Sequence, residues 1–372
     1  MTSDHQAEIG DVIAAIMTTV EDVAHSAGGQ GYVVGGVVRD LLPRGDLSAL
    51  FQDVDIVIEG DAREIGRIVA PHVGGRLELF DRFLTAKIIR PDFPFEIDLV
   101  TARSERYERA GDLPTVTRGS LSDDLLRRDF TINAMALPLN VIVGYLRGEI
   151  SLDDMEGQVL DPLGGRADLR EGVVRMLHPG SFFDDPTRLF RAIRYGARCN
   201  AVLCPDTERA FFTTIQQLDR EIVSANRILQ EIRKIVTESD PIPAINWALE
   251  SGLLGLFLGI DASRGEQISG AIQRLLPVRK RVTATEWWHI IQWLLFWAGM
   301  IRSSRIESAL QRRRRDIETM YQEIDLLVGC ADSAALSARA KIALSGLTGE
   351  NIEKEVAIGP KRGITRIQDS EY

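Results

Sequence analysis

Two aspartates separated by one residue, Asp53 and Asp55, lie in the apolar run QDVDIVIEGD at positions 52–61. In an extended strand, positions i and i+2 point to the same face, so the two carboxylates project together. They repel each other unless a cation lies between them, and Mg²⁺ takes one or two carboxylates together with substrate phosphates. The alternative is a solvated strand edge, and the spacing alone leaves both interpretations open.

A glycine pair precedes this strand in YVVGGVVRDLL, residues 32–42. At Gly35 and Gly36 a phosphate can approach the backbone N–H groups without an intervening Cβ, and Arg39 adds a guanidinium fork. A tight turn without a ligand is the alternative. Together with the Asp-x-Asp strand, the order of elements is typical of a site for a triphosphate and a metal ion.

A third segment, SDDLLRRDFTINAMAL at 122–137, places charged and amide side chains among apolar residues. The polar members are Arg127, Arg128, Asp129 and Asn133. Such a segment is partly buried, and a buried charge requires a partner. Structural ion pairing of Arg127 is therefore one interpretation, and contact with a ligand is the other.

A fourth segment, DDPTRLFRAIRYGAR at 184–198, predicts a helix with Asp185 as its N-cap and Pro186 as its first residue. Arginines then recur at every third position, at Arg188, Arg191 and Arg194, on one broad face. A solvated charged face is one interpretation. The other is recognition of a nucleotide base, because arginine supplies paired donors and aspartate supplies acceptors.

In this order the segments resemble the tRNA nucleotidyltransferases of the bacterial and eukaryotic type, the CCA-adding enzymes, and the related bacterial poly(A) polymerases. The matching stretches are VGGVVRD, DVDIVIEG, RRDFTINAMA, DPLGGRADL and DDPTRLFRAIRY, and ANRILQEIRKIV (225–236) is similar to the helix that closes the family core. The resemblance implies a polymerase-type palm with two Mg²⁺. It also implies template-independent addition of C and A from CTP and ATP to the 3′ end of tRNA, with release of pyrophosphate.

The resemblance further assigns roles to single residues. Asp53 and Asp55 would bind the metal ions, and Asp98 in FEIDLV is a candidate third catalytic carboxylate, with a structural role as the alternative. The nucleotide-binding residues would be Gly35, Gly36, Arg39, Arg128, Asp129, Asn133, Asp185, Arg188, Arg191 and Arg194. Among them, Asp185 and Arg188 would pair with the Watson–Crick edge of the incoming base, so that protein replaces a nucleic-acid template.

Several alternatives within and outside the family stay open. Residues 101–120 resemble the family's loop needed for adding A, which weighs against an enzyme that adds only CC. An A-adding enzyme, a CC-adding enzyme and a poly(A) polymerase are alternatives to full CCA addition, and a non-catalytic RNA-binding relative is a more distant one. Two departures from the family pattern are Asp184, where a glutamate is usual, and the long spacer of sixteen residues between Gly36 and Asp53.

Composition limits the classes of protein that are possible. With 372 residues, of which 45% are hydrophobic, the chain can bury a large core and is expected to form two or three units. A net charge of −10 excludes indiscriminate coating of nucleic acid, so tRNA contacts must be local, and the arginine run at 312–315 is one candidate.

Three cysteines without a CxxC spacing favour a reducing, cytoplasmic compartment. The apolar stretch 286–300 is short for a membrane span, so we expect no membrane partner. We expect a monomer or a homodimer.

The periodicity of apolar residues predicts an α+β fold. The pattern is a mixed sheet with helices followed by a helical remainder. The resemblance implies that these parts are a nucleotidyltransferase head (1–140) and an elongated, all-helical neck, body and tail. The neck (141–236) would recognise the nucleotide base, and the body and tail (237–372) would contact tRNA. Strands are predicted at 54–60, 76–80, 85–90 and 95–103, short β-like pieces at 148–154 and 157–165, helices at 7–27 and 62–70, and a linker at 111–120.

Overall fold

A computed structural model describes residues 3–43, 45, 54–90, 96–109, 111–219, 222–258 and 262–279, together with positions 284, 287, 288 and 291. Asp53, residues 46–52 of the spacer before it, most of the apolar stretch 286–300 and the arginine run at 312–315 lie outside these residues. Contacts divide the chain into a first unit, Met1–Ile228, and a second unit, Leu229–Tyr372. The finer division into head, neck and body stays a prediction.

The strands within the described residues are β1 (Gly31–Val34), β2 (Val54–Ile58), β3 (Arg76–Phe80), β4 (Thr85–Ile89), β5 (Glu96–Thr101), β6 (Arg103–Arg106), β7 (Thr115–Arg118), β8 (Ala136–Pro138), β9 (Val173–Val174) and β10 (Val202–Leu203). Six of them form one sheet in the order β3-β4-β5-β2-β1-β8. In this sheet β2 and β5 are parallel, and the other neighbouring pairs are antiparallel. Strands β6 and β7 form a separate hairpin, and β9 pairs with β10.

The helices of the first unit are α1 (Ser3–Ser26), α2 (Gly36–Leu41), α3 (Ala62–His72), α4 (Leu121–Leu126), α5 (Leu139–Leu146), α6 (Leu152–Gly157), α7 (Gly165–Glu171), α8 (Ser181–Asp184), α9 (Thr187–Cys199), α10 (Pro205–Gln217) and the first residues of α11 (Ala225–Val236). Helices α1, α3 and α5 cover one face of the sheet, where Ile56 and Ile58 enter the main core. Because side chains alternate along a strand, Asp55 and Val57 face the other side, where Val57 packs with Leu125 of α4.

The described part of the second unit is helical. It contains α12 (Ile242–Glu250), α13 (Leu253–Leu258) and α14 (Ala262–Arg279), after the end of α11. Helices α12 and α14 pack closely, because Gly265 lies directly against Leu249 and the Ser269 hydroxyl donates a 2.6 Å hydrogen bond to Asn246 Oδ1. Trp287 Nε1 donates to the carbonyl oxygen of Val236 at 2.8 Å. Among the described helices, none has the length and apolar character needed to cross a membrane.

The predicted α+β class is confirmed, and the strand predicted at 76–80 matches β3 to the residue. Two local predictions were wrong. The predicted linker 111–120 contains β7, and the piece predicted as β-like at 148–154 contains the start of α6. There the Ser151 hydroxyl accepts from Asp154 N and the Asp154 carboxylate accepts from Ser151 N, which satisfies free N–H groups at the helix start. The segment predicted as β-like at 157–165 lies between the end of α6 and the start of α7, and its β structure is an isolated bridge between Leu160 and Ala136.

Candidate active site

Asp55 and Asp98 lie side by side on the parallel strands β2 and β5, where they are register partners. Lys87 of β4 lies opposite Asp98, so three charged side chains cross three adjacent strands on one face of the sheet. Lys87 Nζ is 3.7 Å from Asp98 Oδ1. That carboxylate oxygen is buried and has no hydrogen-bond partner within the described part of the chain. The structure therefore brings the candidate third carboxylate next to Asp55.

Burial raises the pKa of both carboxyl groups. The pKa of Asp98 is raised to about 6, because burial, together with the charge of Asp55, outweighs the attraction of Lys87. The pKa of Asp55 is also raised, again mainly by burial, although the charge of Arg128 opposes the shift. A cation beside these two half-buried carboxylates would therefore stabilise their ionised forms.

The residues present fit a divalent cation. The unpartnered Asp98 oxygen and the neighbouring Asp55 carboxylate are hard oxygen ligands of the kind that Mg²⁺ prefers. Asp53, the other predicted ligand, lies outside the described residues. Within those residues, no group of three or more His, Cys, Asp or Glu side chains forms a metal-binding cluster. Asp55 and Asp98 are thus the two carboxylates on which the metal assignment depends.

The glycine pair forms the turn between β1 and α2. Gly35 has a φ of +71°, which favours glycine, and a Cβ at this position would lie 2.7 Å from Arg128 Nη1. The missing side chain therefore makes room for the guanidinium of Arg128. Arg128 also donates to Asp124 Oδ2 at 2.8 Å, and its charge acts on Asp55. Three of the predicted segments thus converge at this turn.

Arg39 is the centre of a buried polar network. Its side chain is 1% exposed, and it donates to both carboxylate oxygens of Asp40, at 2.6 and 2.7 Å, and to Asn133 Oδ1 at 2.6 Å. Asn133 Nδ2 donates to Asp129 Oδ1 at 2.9 Å, and Arg191 Nε donates to Asp129 Oδ2 at 2.7 Å. This network joins α2, the turn Thr131–Asn133 and α9. Contact of Arg39 with a triphosphate stays a prediction.

The charge of Asp129 is fixed by its partners. Burial alone would raise the pKa of Asp129, but the charge of Arg191 and the Asn133 amide lower the pKa to about 2. The carboxylate is therefore ionised at neutral pH and binds Arg191 as an anion. This pair ties the RRDFTINAMA segment to α9.

Tyr195 was missed by the sequence analysis. Its ring lies beneath the guanidinium groups of Arg194, Arg39 and Arg191, at 4.3, 4.6 and 5.3 Å from the ring centroid. Burial would raise the pKa of Tyr195, but the surrounding arginine charges outweigh it and lower the pKa. The available signal was the position of Tyr195 one helical turn after Arg191, which places it on the arginine face. An aromatic platform of this kind attracts and spaces cations.

The arginine face of α9 is not a solvated surface, because Arg188 and Arg194 are both buried. Arg188 donates to the Ser181 hydroxyl at 2.6 Å and to the carbonyl oxygen of Arg127 at 2.9 Å. The predicted N-cap was wrong by one residue, since α9 begins at Thr187 with Pro186 as its N-cap. Asp185 still accepts hydrogen bonds from Thr187 at the helix start.

Asp185 presents its two carboxylate oxygens differently. Oδ1 accepts from the Thr187 backbone N–H at 3.0 Å, from the Thr187 hydroxyl at 2.6 Å and from Arg227 Nη2 at 2.8 Å. Oδ2 accepts no hydrogen bond from the residues that the structure describes, and the side chain is 19% exposed. Asp185 and Arg188 thus lie at the start of one helix, with one acceptor atom available to a ligand.

Three comparisons place this geometry among known proteins. Residues 31–175 match the family model of the poly A polymerase head domain. The A-adding tRNA nucleotidyltransferase of Halalkalibacterium halodurans is 38% identical over 237 residues, which cover 62% of this chain and 51% of the relative. The CC-adding tRNA nucleotidyltransferase of the same organism is 28% identical over 257 residues, which cover 68% of this chain and 56% of the relative. The chain spans about half the length of these curated relatives.

The architecture also matches solved structures. The apo form II structure of a CCA-adding enzyme superposes with a TM-score of 0.64 and 26% identity, covering 93% of this chain and 82% of that chain. The mixed sheet followed by helices is therefore the fold of the CCA-adding enzymes, as the motif resemblance implied. The family match at 31–175 includes Gly35, Asp55 and Arg128.

Proposed function

Because residues 31–175 match the poly A polymerase head domain and the chain's homologues are tRNA nucleotidyltransferases, we propose that it transfers AMP from ATP to the 3′ end of a tRNA. In this reaction the tRNA 3′-oxygen forms a bond to the α-phosphorus, and the bond to pyrophosphate breaks. The observation that carries the proposal is the pairing of Asp55 with Asp98, next to the Gly35 turn and Arg128.

Some of the site residues supply charge, and others fix the positions of the reacting groups. A divalent cation, which we propose to be Mg²⁺, would be held by Asp55, Asp98 and the predicted ligand Asp53, and when bound it supplies positive charge for the attacking and leaving oxygens. Arg128 adds a fixed cation next to Asp55, and the missing side chain at Gly35 makes room for its guanidinium. The protein thus contributes mainly orientation and electrostatic stabilisation.

Base selection is proposed to rest on Asp185 and Arg188. A carboxylate oxygen accepts a hydrogen bond from the exocyclic amino group of adenine or cytosine, whereas guanine and uracil carry an oxygen at that position. Arg188 is oriented by the Ser181 hydroxyl and the Arg127 carbonyl oxygen, so its guanidinium has a defined direction. This arrangement supports a preference for ATP and CTP over GTP and UTP.

Sequence identity favours addition of A over addition of CC. Within one organism, the A-adding relative is 38% identical to this chain and the CC-adding relative is 28% identical. Full CCA addition is the second candidate, supported by the likeness to a CCA-adding structure at 26% identity. A cytoplasmic location follows from the proposal, because tRNA and ATP occur there together.

The test uses tRNA transcripts that end before CCA, after C and after CC, each with ATP alone, CTP alone or both. We expect ATP to extend only the transcript that ends in CC, by a single nucleotide. Extension of the shortest transcript by three nucleotides would show full CCA addition instead, and a long ladder with ATP would indicate a poly(A) polymerase. If no transcript were extended under any condition, the proposed function would be wrong.

A further inference from the structure

We propose that Arg227, near the start of α11, is a positioning residue that sets base selectivity by fixing the Asp185 carboxylate; this inference rests on the proposed function. Arg227 Nη2 donates to Asp185 Oδ1 at 2.8 Å, and Arg227 Nη1 donates to the carbonyl oxygen of Gly111 at 2.8 Å. One guanidinium therefore binds both the base-selecting aspartate and the turn before β7. Neither Arg227 nor Gly111 belongs to the site residues that the motifs assigned.

Arg227 adds a charged donor to the Asp185 oxygen that Thr187 already binds, and so reinforces the orientation of the carboxylate. Oδ1 already accepts from the backbone N–H and the hydroxyl of Thr187, and Arg227 adds a third, charged donor. A carboxylate oxygen has about two lone-pair directions, so this atom has no capacity left for a nucleotide. Oδ2 is then the acceptor available to a base. A planar, always charged fork holds this orientation better than a flexible ammonium group does.

The second contact of Arg227 fixes the backbone next to Asp185. The Gly111 backbone N–H donates to the carbonyl oxygen of Asp184 at 3.2 Å, so the turn and the aspartate pair are directly joined. Gly111 has a φ of +76°, and a Cβ there would collide with the Ile222 side chain and backbone. Only a glycine allows this close approach. The Arg227 fork thus closes a small ring of contacts through Gly111, Asp184 and Asp185.

The solvent exposure of the Arg227–Asp185 ion pair indicates whether its loss should change stability or nucleotide selectivity. Arg227 is 29% exposed and Asp185 is 19% exposed, so the ion pair is screened by water and adds little to the free energy of unfolding. Its consequence is geometric, because the direction of Oδ2 depends on it. Loss of Arg227 should therefore change nucleotide selectivity much more than it changes stability.

The experiment measures kcat/KM for ATP and for GTP on a CC-ending tRNA, together with equilibrium binding of each nucleotide. We expect Arg227→Met to lower the ATP-to-GTP ratio about tenfold, as expected for one charge-assisted hydrogen bond, with little change in the unfolding midpoint. Arg227→Lys should retain part of the ratio, because it keeps one donor. The control is Arg209→Met, which removes an exposed arginine paired with Asp206 on α10 and should leave the ratio unchanged.

A second pair of variants tests the contact at Gly111. Gly111→Ala should also lower the ATP-to-GTP ratio, because the turn can no longer approach Ile222 and Asp184. Gly148→Ala is the matched control, since Gly148 has a similar φ of +69° but a methyl group added there would have no atom within 4 Å. Equal effects of the two glycine variants would overturn the proposal.

The outcomes separate this inference from the proposed function. If the wild-type protein extends tRNA but Arg227→Met keeps the wild-type ratio in both assays, the inference is wrong and the proposed function stands. If the wild-type protein extends no tRNA yet binds ATP over GTP in an Arg227-dependent way, the inference stands and the proposed function fails. If it neither extends tRNA nor distinguishes the two nucleotides in binding, both fail.

Discussion

Asp129 joins two charged segments that lie far apart along the chain, through Arg191 on one oxygen and Asn133 on the other. Because its pKa is about 2 in the folded protein and 3.8 is the ordinary value, its ionised form stabilises the fold above that ordinary value. This stability is fully present above about pH 4 and is lost as the pH falls through 2. The shift corresponds to about 2 kcal/mol.

We therefore expect Asp129→Asn to reduce the free energy of unfolding by about 2 kcal/mol at pH 7, and by much less near pH 2. Urea denaturation of both proteins at pH 7, 5, 4, 3 and 2 measures the difference. Asp206→Asn, at an exposed position on α10, is the control. If the difference in free energy of unfolding between the wild type and Asp129→Asn stayed constant with pH, Asp129 would not be stabilised by ionic partners.

The Asp55 and Asp98 carboxylates lead to a prediction about Mg²⁺ that does not require activity. A ligand that binds only the folded state raises its stability, so Mg²⁺ should raise the unfolding midpoint of the wild-type protein. The Asp55→Asn, Asp98→Asn double variant should show no such rise. In EDTA the double variant should be no less stable than the wild type, because the substitution removes two crowded like charges. An equal Mg²⁺ response of both proteins would place the ion elsewhere.

At the scale of elements, two helix starts provide a matched comparison. Ser120 is the N-cap of α4 and Ser151 is the N-cap of α6, and each forms the same reciprocal pair with an aspartate three residues later. Replacing either serine by alanine should cost about 1 kcal/mol of stability. Helix α4 leads directly into Arg128, so only Ser120→Ala should raise the KM for ATP. Calorimetry and steady-state kinetics on both variants check this, and equal KM values would remove α4 from the nucleotide site.

The sequence predicts individual elements well where the pattern is local. Alternating apolar residues indicate β2, and they correctly turn Asp55 away from the main core. Contacts between side chains of different elements are harder to predict from the sequence. Asp98 lies next to Asp55 only because β2 pairs with β5 and not with β3, the strand that follows β2 along the chain. Arg39 likewise donates to Asn133, which is 94 residues away along the chain. Such partners depend on sheet order and burial, which no spacing within one segment records.

Local capping and close packing explain the remaining differences. The start of α6 follows from a serine–aspartate pair that the β-like pattern of the segment hides. The contact of Gly35 with Arg128, like that of Gly111 with Ile222, depends on a neighbour from another part of the chain. A glycine in the sequence signals only that a turn or a close approach is possible. It does not say which residue comes close.

At the scale of the whole molecule, the net charge of −10 opposes binding to an RNA backbone. We therefore expect tRNA affinity to depend on a few clustered cations and to fall as salt is added, through release of counterions. The Arg313→Gln, Arg314→Gln double variant should bind tRNA more weakly, with a log–log salt slope that is shallower by about one for each lost phosphate contact. Binding titrations at several KCl concentrations measure this slope. An unchanged slope would show that this run does not touch tRNA.

The sheet order makes the position of Asp55 relative to Asp98 independent of the length of the chain between their strands. Strands β2 and β5 are neighbours in space, but α3 and the β3–β4 hairpin lie between them along the chain. The turn after α3 contains Gly74, where an added Cβ would have no atom within 4 Å. A foreign peptide grafted at this turn lengthens the connection at a small entropic cost and leaves the Asp55–Asp98 register intact. This turn is therefore a suitable place for an epitope or a fluorescent label in a working protein.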